Sequence, residues 1–468
     1  MSHPAVASSA VVEYHGRAPP SSTRALLREL VWLSVPVMVE HVLHMGVGLA
    51  DTYLANHLDS EPAAATAAVG TVSYFLWFIG LLVGAIATGS TALIARATGA
   101  RHRGLANSVC GQSIASAAVL GAAMALLLYV LAGPFVTATR LAGAAGDFAL
   151  SYLMLLTFSL PFTMVMFVAG ACLRGAGDTL TPAIVMVVVD LVNIVASFAL
   201  TYGWWGLPKM GFDGIAAGTV IAYVAGGVAL LAVLLRGRAG LRLHWHRIPP
   251  HWLTLKRILR IGLPSGLEGL VAWSAQFAIV ILINHLDPTN VMPAAHINAI
   301  RIEAISYMAG FAVAAAAATM VGQSLGMRDP GRAMRSALLA YAVGGGIMTA
   351  LGIGFIVAGQ YPSRWLSGTP QVGDLTAQCL GYAGFVQCGF AAAAIFGGAL
   401  RGAGDTVWVM GLNLASIVGL RLVGVLIVGW WLNQGLVAIW LVLCAELMAR
   451  GALMTGRFLH GGWKQVQV

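Results

Sequence analysis

The chain has 468 residues, of which 59% are hydrophobic and 9% charged. A water-soluble domain carries about 25% charged residues, so this composition cannot cover a water-facing surface and excludes a soluble enzyme or binding module. The formal net charge of +9 is spread over many short loops, which argues against a nucleic-acid partner and for a membrane topology signal.

In chain order, residues 1–27 carry Ser, Pro and Arg without an apolar run and are expected to be a disordered cytoplasmic tail, not a cleaved signal peptide. Twelve apolar stretches follow, at 30–55, 68–96, 105–136, 148–172, 180–203, 214–236, 259–284, 292–325, 333–358, 375–399, 407–431 and 434–457. Each reaches the roughly 20 residues that cross about 30 Å of hydrocarbon. Their ends are marked by clusters such as Gly99-Ala-Arg101 and Gly175-Ala-Gly177-Asp178. The expected fold is an all-α integral membrane protein with a 28–236 lobe, a basic connector at 237–256, a 257–458 lobe and a short tail at 459–468.

With both termini placed in the cytoplasm, Arg140, Lys209 and Arg364 fall in outer loops and Arg301 and Arg421 inside helices. The remaining 21 of the 26 Lys and Arg lie on the cytoplasmic side, seven of them between Arg236 and Arg260. Basic residues collect in cytoplasmic loops, so this orientation is expected, in the cytoplasmic (inner) membrane of a bacterium. Cys110, Cys172, Cys379, Cys388 and Cys444 all fall in predicted helices, so neither a disulfide nor a metal framework is expected.

The chain repeats itself. Leu173-Arg-Gly-Ala-Gly-Asp-Thr179 recurs at Leu400 to Thr406, and Gly99-Ala-Arg101 faces Gly326-Met-Arg328, at an offset of 227. At an offset of 228, Pro36 faces Pro264, Glu40 faces Glu268, and Asn56-His-Leu-Asp59 recurs as Asn284-His-Leu-Asp287. Six helices separate equivalent points, and six is even, so the halves cross the membrane in the same direction. Such parallel repeats place a cavity between two bundles. The Leu-Arg-Gly-Ala-Gly-Asp-Thr motif is expected to be a tight cytoplasmic turn, with Gly supplying unusual dihedrals and Asp capping the next helix.

Six carboxylates fall inside predicted helices: Glu40, Asp51, Asp190, Glu268, Glu303 and Glu446. Burying an ionisable group at membrane depth is expensive, so each is a functional candidate by default. Glu40, His44 and Asp51 share one face of the first helix. Asp190 and Asn193 are neighbours on the fifth. The repeat partners of Asp51, Asp190 and Asn193 are Ile279, Ile417 and Leu420, so this polar set belongs to the first half alone. Glu40 and Glu268 are instead shared by both halves, and a structural role or a paired cavity lining fits them equally. Glu303 is expected to pair with Arg301 or near Glu268, and Glu446 to be structural. Glu40, His41 and His44 have the spacing of metal ligands, but polar cavity lining is the expected role. Trp273 and Met308 could give a cavity an adaptable, cation-attracting wall.

In this order, and twice over, several segments resemble the multidrug and toxic compound extrusion (MATE) family. They include Gly48-Leu-Ala-Asp51-Thr-Tyr, Thr91 to Gly99, Leu173 to Pro182 followed by Asn193, and Ile300-Arg-Ile-Glu303 through Gly322-Gln-Ser-Leu-Gly326. The resemblance covers about 28–458. It implies two six-helix lobes, a central cavity, and efflux of small organic compounds driven by an inward proton or sodium gradient. It also implies that Asp51 is a coupling-ion residue. One branch of the family has Asn and then Asp four residues later in the fifth helix; here Asn193 fits, position 197 is Ser, and Asp190 stands one turn earlier. Another branch has a glutamate where this chain has Ala272 in the seventh helix, which leans toward protons over sodium.

The expected site is therefore Asp51, Asp190 and Asn193 for the ion, with Glu40, His44, Glu268, Trp273, Arg301 and Glu303 lining the cavity. No cofactor beyond a coupling proton or sodium, and a monomer, are expected. With six helical acids against Arg301 and Arg421, the charge balance favours cationic cargo. A lipid-linked precursor flippase of the same superfamily, which would need a basic cavity, and a metabolite exporter are the alternatives. The sequence has no zinc-protease helix, nucleophile elbow or phosphate loop to suggest an enzyme, and no fourfold repeat to build a channel filter.

Overall fold

The structure, a computed structural model, describes residues 22–139, 141, 143–244, 251–287 and 289–466. Residues 1–21 of the expected tail, Arg140, and residues 245–250 of the expected connector lie outside this set. Twelve helices are long and apolar enough to span a membrane. The first six are α1 (Thr23–Asn56), α2 (Pro62–Gly99), α3 (Arg103–Ala138), α4 (Ala144–Ala176), α5 (Leu180–Tyr202) and α6 (Phe212–Arg236). The second six are α7 (Trp252–Leu286), α8 (Val291–Gly326), α9 (Pro330–Ala358), α10 (Pro370–Gly402), α11 (Thr406–Trp431) and α12 (Leu436–His460). In hydrocarbon every backbone N–H and C=O must be satisfied within the segment, which is why these apolar runs become helices.

Most helices outrun their predicted ends. α1 starts seven residues before the apolar run, because Ser22 Oγ caps it by accepting from Ala25 N. The sequence reading had no signal for the short helix Gln360–Leu366, nor for the π-helical turns at 415–422 and 426–431 inside α11. Because the number of spans is even, both termini lie on one face, called here the terminal face.

The first helix of each half begins against the opposite half. Leu26, Leu30 and Leu33 of α1 belong to a core with Val313, Met320 and Phe396. Ile258 and Ile261 of α7 belong to the core built from α2 to α6. The first helix of each half thus packs at its start into the core of the other half. The α2–α7 seam is backbone against backbone: a Cβ on Gly262 would stand 1.9 Å from the Ala85 carbonyl oxygen. Small residues allow this approach, and dispersion then holds the helices.

Hydrogen bonds and ion pairs between the halves lie in the terminal half of the molecule. Arg332 Nη2 of α9, buried, pairs with Glu29 of α1 at 2.6 Å. Thr319 Oγ1 donates to the Arg174 carbonyl at 3.1 Å, and Gln323 Nε2 to the Gly175 carbonyl at 3.2 Å. Arg96 Nη1 of α2 donates to the Val466 carbonyl at 2.7 Å. On the other side, Leu49 and Tyr53 of α1 are exposed. The halves are thus closed at the terminal face.

The repeated motif forms the expected turns, with Gly177 at φ 95° and Gly404 at φ 87°, where a Cβ would be strained. Asp178 caps α5 through Thr181 N at 3.0 Å and also pairs with Arg238 at 2.8 Å. Asp405 differs: it makes no cap bond to α11 and pairs with Arg457 at 2.9 Å instead.

Candidate functional site

Asp51 sits five residues before the end of α1, about 8 Å from it along the axis, and is 4% exposed. Its partners come from α4 and α6. Tyr152 Oη donates to Oδ2 at 2.8 Å, and Thr219 Oγ1 donates to the same oxygen at 3.0 Å. Asn193 Nδ2 of α5 donates to Thr219 Oγ1 at 3.0 Å. The Thr219 hydroxyl has one proton, and Asp51 Oδ2 at 3.0 Å and the Ile215 carbonyl at 3.2 Å both stand within its reach. Asn193 is thereby linked to Asp51 through Thr219.

Asp190 of α5, 5% exposed, lies against α1, with Oδ2 3.6 Å from where a Cβ on Gly46 would stand. Tyr223 of α6 is within electrostatic reach of both Asp51 and Asp190. Three buried acceptors here have no donor among the described residues: Asp51 Oδ1, Asp190 Oδ1 and Asn193 Oδ1. Unmatched buried acceptors are costly, and a water, a proton or a small cation would satisfy such oxygens. Ser197, where one family branch has aspartate, is packed onto α6: a Cβ on Gly218 would come within 2.1 Å of Ser197 Oγ. Position 197 faces α6 too tightly for a carboxylate, whereas position 190 faces α1.

The matching positions in the second half are filled differently. Ile279 and Ile417 are buried apolar residues, and Leu420 is exposed. The first-half pocket has no polar copy there.

Glu40 and Glu268 are both engaged by the arginine of the repeated motif. Arg174 Nη1 reaches Glu40 at 2.8 and 3.0 Å, and Arg401 Nη2 reaches Glu268 at 2.6 Å, with Asn413 Nδ2 also at 2.6 Å. These arginines, expected to sit in cytoplasmic turns, therefore turn inward along the helices. The two motif copies make the same ion pair in each half. Glu268 Oε2 and Asn413 Oδ1 remain without donors among the described residues.

Glu446 of α12, fully buried, accepts from Arg421 Nη2 at 2.7 Å, from Arg450 Nη2 at 2.5 Å, and from Ser416 Oγ. The π-helical turn of α11 carries Ser416 and Arg421 to this cluster. Arg450, expected on the cytoplasmic side, lies inside α12. Glu303 contacts neither Arg301, which is exposed, nor Glu268. It accepts from Gln387 Nε2 of α10 at 3.0 Å, and Ser306 Oγ donates to the other end of that amide at 2.7 Å. His44 stands edge-on to Phe167 at 5.6 Å, and Trp273 stacks on Phe277 at 5.5 Å.

The helical charge count thus changes. Arg174, Arg401, Arg421 and Arg450 neutralise Glu40, Glu268 and Glu446. Among the described residues Asp51, Asp190 and Glu303 have no ion-pair partner. Tyr152, Thr219, Tyr223 and Gln387 escaped the sequence reading because a lone hydroxyl or amide in an apolar helix carries no spacing signal.

Known proteins match along nearly the whole chain. A protein named "Probable multidrug resistance protein NorM" from Thermotoga maritima is 29% identical over 453 residues, covering 96% of this chain and 95% of that one. Multidrug resistance protein PmpM from Pseudomonas aeruginosa is 26% identical over 85% of this chain and 83% of its own. In fold, a MOP superfamily transporter from Pyrococcus furiosus superposes with a TM-score of 0.85 at 20% identity, over 94% of this chain and 97% of that one. The bent form of the Vibrio cholerae MATE transporter VcmN gives 0.85 at 17% identity, over 94% and 98%. The MatE family model matches residues 36–199 and again 264–427, once per repeat, so the chain belongs to the MatE family of membrane transporters and is not an enzyme.

Proposed function

We propose that this transporter is a multidrug exporter: a secondary antiporter that expels small organic cations by alternating access as protons move inward. The observation that carries the reading is the state of Asp51. It is buried, held only by the neutral donors Tyr152 and Thr219, and has one oxygen without a donor. A carboxylate paired with one arginine, such as Glu40 with Arg174, is charge-balanced as it stands. Asp51 is not, so it can take up a proton or sodium ion from one side of the membrane and release it to the other. Asp190 and Asn193 complete the ion site in the same half. Protons are favoured because Ala272 supplies no carboxylate in α7. The names of the NorM and PmpM relatives support a multidrug cargo. The three membrane carboxylates without ion-pair partners support cationic cargo, with Glu303, Trp273 and His44 as cavity lining.

The distribution of basic residues supports a cytoplasmic location for both termini in a bacterial inner membrane; a monomer is the state proposed. In that orientation the closed terminal face is cytoplasmic. Ion binding shifts the two conformations only through differential affinity. Neutralising Asp51 would let α1 bend at Pro36, with Gly46 and Gly48 giving the backbone room, and would release the cation outward.

The test is reconstitution into vesicles with an imposed proton or sodium gradient, following a fluorescent cation. Asp51→Asn should insert, fold and bind the cation, yet lose gradient-driven efflux. Full efflux by this variant with wild-type pH dependence would refute the assignment and move the role to Asp190, the other unpaired carboxylate of that half.

A further inference from the structure

A groove of about 940 Å³ runs along the outside of the first turns of α1, closed on one side by Leu180 at the start of α5. It is far from the Asp51 pocket and meets the transport reading only at Pro36, which lines its deep end. Its residues are ordered by depth. Arg24 and Arg28 stand one turn apart on the exposed face, nearest the terminal face. Leu27 lies between them, and below them the same face carries Val31 and Val35, all exposed. From Arg28 to Val35 the helix descends about 10 Å. Trp32, 56% exposed, lies one residue past Val31, about 6 Å along the helix from Arg28, within reach of a membrane interface where tryptophan settles.

Charge sets this groove apart from an ordinary lipid-facing helix. Neither Arg24 nor Arg28 has a hydrogen bond or ion pair with a described residue, while the carboxylate beside them, Glu29, is taken by Arg332 on the opposite side of the helix. Two unpaired guanidiniums one turn apart suit a phosphodiester, since Arg binds phosphate through its planar fork. The apolar floor that follows suits an acyl chain. Basic pockets between helices at a membrane surface are places where anionic headgroups bind.

We propose that the α1–α5 groove is a binding site for one anionic phospholipid, its phosphate on Arg24 and Arg28 and an acyl chain along Val31, Val35 and Leu180. Such a lipid would bear on the stretch of α1 that ends at Pro36.

Native mass spectrometry of the purified full chain tests this, titrating dioleoyl phosphatidylglycerol and, separately, dioleoyl phosphatidylcholine. Phosphatidylglycerol should be retained preferentially. Each basic residue near an anionic surface contributes about 1 kcal/mol, or roughly fivefold in affinity. The variant carrying Arg24→Gln and Arg28→Gln should therefore hold one fewer tightly bound phosphatidylglycerol, with affinity down about 25-fold. Arg24→Lys with Arg28→Lys should keep most of it and shows that folding is intact. Val35→Trp, which fills the groove without changing charge, should lose the same lipid. Glycerol 3-phosphate should not bind; binding at the lipid's own concentration would mean a free-phosphate site and overturn the lipid assignment. Equal retention of both lipids, as expected if the chain's own first residues cover the groove, would also overturn it. So would wild-type retention by both the double variant and Val35→Trp.

Discussion

Tyr152→Phe should move the pH at which transport is half-maximal, and it should do so only through Asp51. Tyr152 Oη is 2.8 Å from Asp51 Oδ2 and is one of two donors to that oxygen, the other being Thr219 at 3.0 Å. The substitution removes the hydroxyl and keeps the ring that packs beside Phe212. A hydrogen bond to a charged group is worth about 1.5–3 kcal/mol, and one pH unit corresponds to about 1.36 kcal/mol. Losing the donor disfavours the ionised form, so the variant should hold its proton to higher pH. The midpoint should therefore rise by roughly one to two units. The assay is efflux of a fluorescent cation from proteoliposomes across a series of external pH values at constant gradient. Thr219→Val should shift the midpoint in the same direction, while Ser197→Ala, whose hydroxyl is bonded to the Ile215 carbonyl, should leave it in place. In an Asp51→Asn background, with any residual transport measured, Tyr152→Phe should add no further shift. An unmoved midpoint in Tyr152→Phe, with protein folded and cation bound, would refute Asp51 as the titrating group. An equal shift in the Asp51→Asn background would assign the effect elsewhere.

Glu446→Gln should leave Arg421 and Arg450 buried without their shared counter-ion, which costs about 3–5 kcal/mol; thermal unfolding in detergent should show it, and a change below about 1 kcal/mol would contradict the geometry. Gly262→Leu cannot keep the α2–α7 seam, where even a Cβ would lie 1.9 Å from the Ala85 oxygen, so cysteine cross-linking between α2 and α7 beside that contact should fall. Glu303→Gln should change cation affinity or range while leaving gradient dependence in place, because its partner is Gln387 and not a member of the Asp51 network; loss of gradient dependence with binding intact would count against this. Asp287, outside the spans, accepts from Met292 N at 2.6 Å and Thr289 N at 2.9 Å, which holds its carboxyl below the ordinary value of 3.8. Its folded-state value is lowered, so its contribution is present above pH 3.8 and lost as pH falls through the lower value; Asp287→Ala should cost about 1 kcal/mol at neutral pH, and the difference from wild type should vanish in strong acid.

How much of this was legible in the sequence depends on the distance over which each feature is decided. The spans followed from apolar runs of the right length, because the bilayer acts on each segment separately. The parallel repeat followed from the two Leu-Arg-Gly-Ala-Gly-Asp-Thr copies and an even helix count. The one-sidedness of Asp51, Asp190 and Asn193 was readable by setting them against Ile279, Ile417 and Leu420. What no local pattern could supply was the pairing of side chains between helices. Arg174 and Arg401 read as loop charges by the positive-inside argument, yet in three dimensions they cancel Glu40 and Glu268. Arg450 likewise turns into the bundle, and Glu303 finds Gln387, 84 residues away. Tyr152 and Thr219, 101 and 168 residues from Asp51, become its partners only when α4 and α6 pack beside α1. An acid's charge is written in the sequence, but whether it is cancelled depends on which helices touch. That is set by interhelical packing, where small residues such as Gly262 admit one backbone against another, and it is therefore a property of the tertiary structure alone.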